Sequence, residues 1–259
     1  MKNVTFLAAV VVALATTAAR ANTAYIKYIS PGPCCGVAGF CVDFDNNGSW
    51  DKKYNNNVYT GEYKFAFDAS KSSAEAGLLL DDPFYAWCID VDQNAPTHWA
   101  LYDITDLEKA PVNGWGVLMG TTRADRVREL FGRFIGDVNT KEEGEAFAAS
   151  LWEIVYEKSA VYDLDDGTLR MNGLDGDAKN ISEGWLGQLT GDTAYFDYDV
   201  FALTNGTYQD FALTSPGYGG QPIPEPVTMM GMVLGVGGLA AYLRKRRPRP
   251  DRPGERGTQ

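Results

Sequence analysis

Apolar and polar side chains alternate from Tyr25 to Ile29 around Lys27, the period of two that marks a strand. A turn-rich stretch, Pro31 to Gly39, follows. From Val58 to Phe67 the alternation returns, with Gly61, Tyr63, Phe65 and Phe67 on one face and Thr60, Glu62 and Lys64 on the other. This predicts a half-buried antiparallel strand. Phe84 to Val91 is apolar and aromatic, and it sets Cys88 on the face of Phe84 and Ala86. The period then lengthens to that of a helix. Thr122 with Asp125 spells a capping box ahead of Val127, Leu130, Phe131 and Phe134. Thr140 with Glu143 repeats the signal ahead of Phe147, Leu151, Ile154 and Val155. A third helix is predicted from Asp177 to Leu189 on the spacing of Ile181, Trp185 and Leu189. Strands resume at Tyr195–Thr204 and Thr207–Leu213, separated by Asn205-Gly206, a dipeptide suited to a tight hairpin. Strands on either side of a helical insert predict an α+β domain over 22–215. Its core is a mostly antiparallel, barrel-like sheet and its insert holds two to three helices.

Both ends of the chain break this pattern. Lys2, the apolar run Val4–Ala15 and the small residues around Ala19-Arg20-Ala21 read as a secretory signal peptide over 1–21, cut by signal peptidase before Asn22. The run is shorter than the roughly 20 residues of a membrane span. At the other end, a Pro/Gly-rich linker (216–223) leads into Pro224-Glu225-Pro226, an apolar run from Val227 to Leu243, and the cluster Arg244, Lys245, Arg246 and Arg247. A helix over 227–243 rises roughly 25 Å, enough for a thin bilayer. The basic cluster stops it on the cytoplasmic side and leaves the body of the chain outside.

Charge sharpens that picture. Setting aside Lys2, Arg20 and the seven basic and two acidic residues of 244–259 leaves 14 basic and 32 acidic residues, a formal charge of −18 against −11 for the whole chain. Such a surface repels nucleic acid and anionic lipid and attracts cations.

The ordered series of Pro224, Glu225 and Pro226, a short span and an arginine cluster resembles the PEP-CTERM sorting signal over 224–247. The resemblance implies that an exosortase reads the motif in an inner-membrane-anchored precursor and passes the protein to the cell surface or extracellular matrix. One departure is the extension from Pro248 to Gln259, whose Pro- and charge-rich composition reads as a disordered cytoplasmic tail.

Cys34, Cys35, Cys41 and Cys88 in an exported chain point to disulfides. Adjacent Cys34 and Cys35 strain a direct bond, so the expectation is that one reaches Cys41 and the other Cys88. Zinc is the competing reading, but His98 is the only histidine and the spacing is not that of a zinc finger. The segments Tyr85–Asp90, Phe147–Glu157 and Tyr208–Phe211 look like landmarks of PEP-CTERM proteins similar to the thioester domains of surface adhesins. In those adhesins a cysteine bonds to a glutamine four residues before a helical tryptophan. Cys88 and Trp152 match; Ala148 stands where the glutamine belongs, so no thioester can form, and either the scaffold is kept without the reaction or, the preferred expectation, Cys88 serves a disulfide.

Asp43, Asp45, Asn47 and Asp51 space oxygen ligands as a calcium loop does, with Gly48 at the sharp turn. Tyr54 at the twelfth position supplies no carboxylate. Asp163, Asp165, Asp166 and Gly167 form a second acidic turn. Calcium is therefore the one candidate cofactor. Enzyme signatures are sparse: His98 has no partner in a nucleophile motif, paired acids leave no spacing signature, and no phosphate-cradling glycine loop occurs. The expectation is a non-enzymatic surface or matrix protein that meets exopolysaccharide or other matrix components. A secreted carbohydrate-active hydrolase or a thioester adhesin is the alternative.

Overall fold

A computed structural model describes residues 22–215 except 46, 160 and 197. By contact the chain divides into two units, Met1–Gly220 and Gln221–Gln259, and every described residue belongs to the first. The leader 1–21, the linker, the motif Pro224–Pro226, the span 227–243, the basic cluster 244–247 and the tail 248–259 all lie outside the described residues. Among the described residues no helix is long and apolar enough to cross a membrane.

The strands are β1 (Thr23–Pro31), β2 (Gly36–Val42), β3 (Lys52–Thr60), β4 (Glu62–Phe67), β5 (Phe84–Cys88), β6 (Ala100–Asp106), β7 (Pro111–Val112), β8 (Val117–Leu118), β9 (Leu169–Asn172), β10 (Val200–Thr204) and β11 (Phe211–Thr214). The helices are α1 (Ala76–Leu79), α2 (Gly120–Phe134), α3 (Lys141–Tyr156) and α4 (Gly176–Leu186). Six strands close a barrel in the order β1-β4-β5-β11-β10-β6, every pairing antiparallel. Beside it stands a three-stranded sheet ordered β3-β2-β9. The expected α+β class with a mostly antiparallel, barrel-like core is thus the observed one.

One long bent hairpin joins the two sheets. β1 and β2 run out, β3 and β4 run back, and the turn at the far end is the Asp43–Asp51 loop. The bend explains why Val58–Phe67 is two strands instead of one. Gly61, at φ +149°, lets the chain pass Cys34 and Cys35; a Cβ there would lie 2.5 Å from the Cys34 carbonyl oxygen and 2.6 Å from the Cys35 Cα. The outgoing arm bends opposite it, so the turn-rich stretch ends at Cys35 and Gly36 already opens β2. In β4 the alternation holds: Tyr63, Phe65 and Phe67 are buried while Glu62, Lys64 and Ala66 are half-buried.

α3 is the hub of the core. Every residue from Gly144 to Tyr156 is buried, because the helix meets β2, β3, β5 and β9 as well as α2 and α4. Its N-terminus forms the expected capping box: Thr140 Oγ1 accepts from the Glu143 N–H and Glu143 Oε2 accepts from the Thr140 N–H. Phe147 packs on Trp87 (4.5 Å) and edge-on to Phe131 (5.0 Å), tying β5 to α2.

Other boundaries differ from expectation for identifiable reasons. α2 starts at Gly120 with Met119 at its cap, so Thr122 lies inside the first turn and the Thr122–Asp125 box does not form; Asp125 pairs with Arg128. α4 is capped by the Asp175 side chain and ends at Leu186. β10 and β11 are shorter than predicted, and Asn205-Gly206 is not a two-residue turn. Instead Asn205 Oδ1 accepts from the N–H groups of Thr207 and Tyr208, and Asp210 Oδ1 accepts from the Asn205 N–H, holding open a wider loop.

Candidate functional site

β5 carries its last residue, Cys88, into the junction of barrel, small sheet and α3. The Trp152 indole N–H donates to the Cys88 carbonyl at 2.9 Å, so the two residues singled out by the thioester resemblance do meet. Ala148, one helical turn before Trp152, is buried and offers no carboxamide. The Cys88 thiol donates to the Asp90 carbonyl oxygen at 2.9 Å, and the Gln209 side-chain amide donates to that same oxygen at 2.8 Å. Complete burial pushes the Cys88 thiol well above its ordinary pKa, with the Asp90 carboxylate adding to the effect. A thiol so held is inert at neutral pH.

Two carboxyls lie just beyond. Asp90 and Asp210 are both fully buried, and one amide, Asn113 Nδ2, bridges them at 2.9 and 3.2 Å. Burial, then the nearby Asp90 charge, raises Asp210 to about 7; Asp90 is raised chiefly by burial. Asp90 Oδ1 also accepts from the Asp92 N–H, and Asp210 closes the β10–β11 loop. Each acid is therefore committed to fastening strand ends. The same holds for Glu129 on α2, whereas Glu153 on α3 has one oxygen, Oε2, buried without a hydrogen-bond partner. Glu129 Oε2 accepts three consecutive N–H groups, Thr190 to Asp192, while its other oxygen pairs with Arg133. Glu153 accepts from the Asp163 N–H and is raised by burial to about 8. Motif searching missed these buried acids, because a partner that is a backbone N–H leaves no sequence pattern.

Next to Trp152 opens a cavity of about 550 Å³. Tyr28, Tyr54, Tyr59 and Trp152 present ring surfaces to it, and Asn57 and Gln93 present amides. No Asp, Glu, Lys, Arg or His is among its described lining residues. Gln93 Oε1 is buried there without a hydrogen-bond partner.

The remaining candidates sit apart. All four cysteines stand as free thiols in the structure, which shows none of the expected disulfides. Cys41 lies five residues along β2 from Gly36, about 16 Å from the Cys34–Cys35 corner at strand spacing, whereas a disulfide needs Cα atoms within about 7 Å. Its sulfur instead accepts from the Asn172 side-chain amide at 3.0 Å. Cys35 is held by burial, then by Glu145 and Glu62, at about 12. His98 is exposed and bonds the Tyr208 hydroxyl at 2.5 Å.

At the hairpin tip, one carboxylate oxygen each of Asp43, Asp45 and Asp51 lie within 4.8 Å of one another. The Asn47 carbonyl faces the Ser49 N–H and its amide donates to Asp45, so it does not join them. The carboxylates accept N–H groups of their own loop, with Gly48 on Asp43 and Phe44 on Asp51. Tyr54 packs on Phe40 at 4.9 Å, so the twelfth position contributes nothing to the tip. The three carboxylates stand where a calcium loop has its first, third and ninth ligand positions, and the bidentate carboxylate of the twelfth is missing. Asp163 accepts from the Asp165 N–H, while Asp165 pairs with Lys179 and Asp166 with Arg170.

Fold and site together define an antiparallel barrel with an appended three-stranded sheet and a buried helical hub, holding a neutral aromatic cavity. No protein-family model, curated protein or solved structure matches the chain.

Proposed function

We propose that this is an exported surface or matrix protein, sorted by an exosortase through its Pro224-Glu225-Pro226 tail, whose barrel domain acts by binding and not by catalysis. The observation that carries the binding half is the composition of the 550 Å³ cavity, whose described lining holds no acid, base or thiol. A hydrolase that uses acidic residues needs two carboxyls facing substrate. Asp90, Asp210 and Glu129 face strand ends and loop amides instead. The sorting half rests on the order of leader, acidic domain, Pro-Glu-Pro motif, short apolar run and Arg244–Arg247 cluster. Membrane engagement belongs to the precursor, and matrix glycans are the partners that the delivered domain meets.

The test is fractionation of the native host with and without its sorting peptidase, following the chain with an antibody. With the peptidase, the chain runs shortened at both ends and sits at the surface or in the matrix. Without it, the chain stays in the inner membrane with its tail attached. Recovery of the intact chain from the cytosol defeats the proposal.

A further inference from the structure

The cavity beside Trp152 has a chemistry more specific than a generic cleft. Its volume of about 550 Å³ lies within the range of small-ligand sites. Aromatic rings and primary amides line it together with the aliphatic side chains of Val58, Val91 and Ala95. Tyr28, Tyr54, Tyr59 and Trp152 supply flat ring faces, and Trp152 is locked by its bond to the Cys88 carbonyl. Tyr59, at 49% exposure, stands at the mouth. Between the rings sit primary amides, each offering two donors and an acceptor. One amide oxygen, Gln93 Oε1, is buried behind the wall without a hydrogen-bond partner.

From this arrangement we infer that the cavity is a binding site for a neutral saccharide segment. A sugar ring has an apolar C–H face that lies flat on an aromatic ring, and a rim of hydroxyls that both donate and accept. A lining that holds both rings and amides complements both. A charged ligand finds no counter-ion in the described lining, and the chain's formal charge of −11 repels anionic glycans. The inference deepens the matrix-binding reading and rests on it only for where the glycan comes from.

Affinity electrophoresis of the purified full chain tests it, in native gels cast with soluble neutral polysaccharides (α- and β-glucan, galactan, mannan and a soluble N-acetylglucosamine polymer). Anionic polygalacturonate and an immobilised extended neutral peptide serve as comparisons. The expected result is retardation by at least one neutral glycan and by neither comparison. Tyr59→Ala and Gln93→Ala, two changes at the mouth and wall, should each weaken that retardation about tenfold, close to 1.4 kcal/mol. The melting temperature stays within about 2 °C, a sign that the fold is intact. Retardation by none of the neutral glycans overturns the inference. So does stronger binding to polygalacturonate or to the peptide, or retardation that both folded variants keep in full. The readout is independent of export, so it separates failure of this site from failure of the sorting proposal, which fractionation decides.

Discussion

Asp210→Asn probes the buried carboxyl that bridges two strand ends. In the folded chain Asp210 titrates near 7, against an ordinary 3.8, because burial disfavours its charge. Between those two values the folded chain keeps a proton that the unfolded chain has lost. Stability from this group is complete below pH 3.8, declines through the interval and levels off above 7. The gap corresponds to a ceiling of about 4 kcal/mol. Asparagine keeps an oxygen for the Asn205 N–H but turns an amide toward Asn113 Nδ2, which costs about 1 kcal/mol at every pH. The variant should therefore be less stable than the parent by about 1 kcal/mol near the acid end and more stable, by up to about 3 kcal/mol, at pH 8. Thermal melts of both proteins from pH 4 to 8, read by circular dichroism, measure the crossing. At pH 8 the variant's midpoint should lead by up to about 6–12 °C for a domain of this size. Glu153, raised to about 8 by burial, adds a decline in the same direction that the variant retains. A parent midpoint that holds flat or climbs from pH 4 to 8 would refute the reasoning, as would two parallel curves.

Trp152→Phe removes the indole donor from the Cys88 carbonyl and leaves a void at the hub, so the urea midpoint should fall by the equivalent of about 2–4 kcal/mol; a loss under about 0.5 would mean that the bond is dispensable. Gly61→Ala drives a Cβ against the backbone of Cys34 and Cys35 at a positive φ, at a cost of at least about 3 kcal/mol. Its sign is loss of soluble, cooperatively melting protein, and a variant that melts like the parent would show that the bend tolerates a side chain. Intact mass after unfolding and alkylation without reductant should show Cys41 modified, since strand spacing separates it from the Cys34–Cys35 corner; an unmodified Cys41 would place it in a disulfide. The same spectrum should show no loss of ammonia, because Ala148 has no amide to give. Such a loss would mean that Gln209, whose amide shares the Asp90 carbonyl with the Cys88 thiol, had bonded in its place.

Legibility of the fold followed how local the determining interactions are. The α3 cap was readable because Thr140 and Glu143 satisfy each other within one turn. The β4 alternation was readable because one of its faces is buried and the other only partly so. β2 was not readable: with both faces largely covered it has no period of two, and its glycine at 36 resembles a turn. The Thr122–Asp125 box failed because the helix starts earlier, at Gly120, and leaves Thr122 inside its first turn. Asn205-Gly206 failed because Asp210, five residues on, draws the Asn205 N–H into a wider loop.

The candidate site divides along the same line. Cys88 and Trp152 were found by sequence, since short motifs carry them and the fold places the indole against the Cys88 backbone. The cavity could not be found this way, because its walls come from positions such as 28, 54, 57, 59, 93 and 152, scattered over two sheets, a helix and the loop between β5 and β6. The bent hairpin is what assembles them. By breaking at Gly61, it lays the β3 tyrosines Tyr54 and Tyr59 over α3 while β1 and β4 stay in the barrel, so Tyr28 and Trp152 come to line one hollow. A glycine that passes for an ordinary strand residue thus decides whether the binding surface exists. Straightening the ribbon at that residue would dismantle the cavity without touching a single residue that lines it.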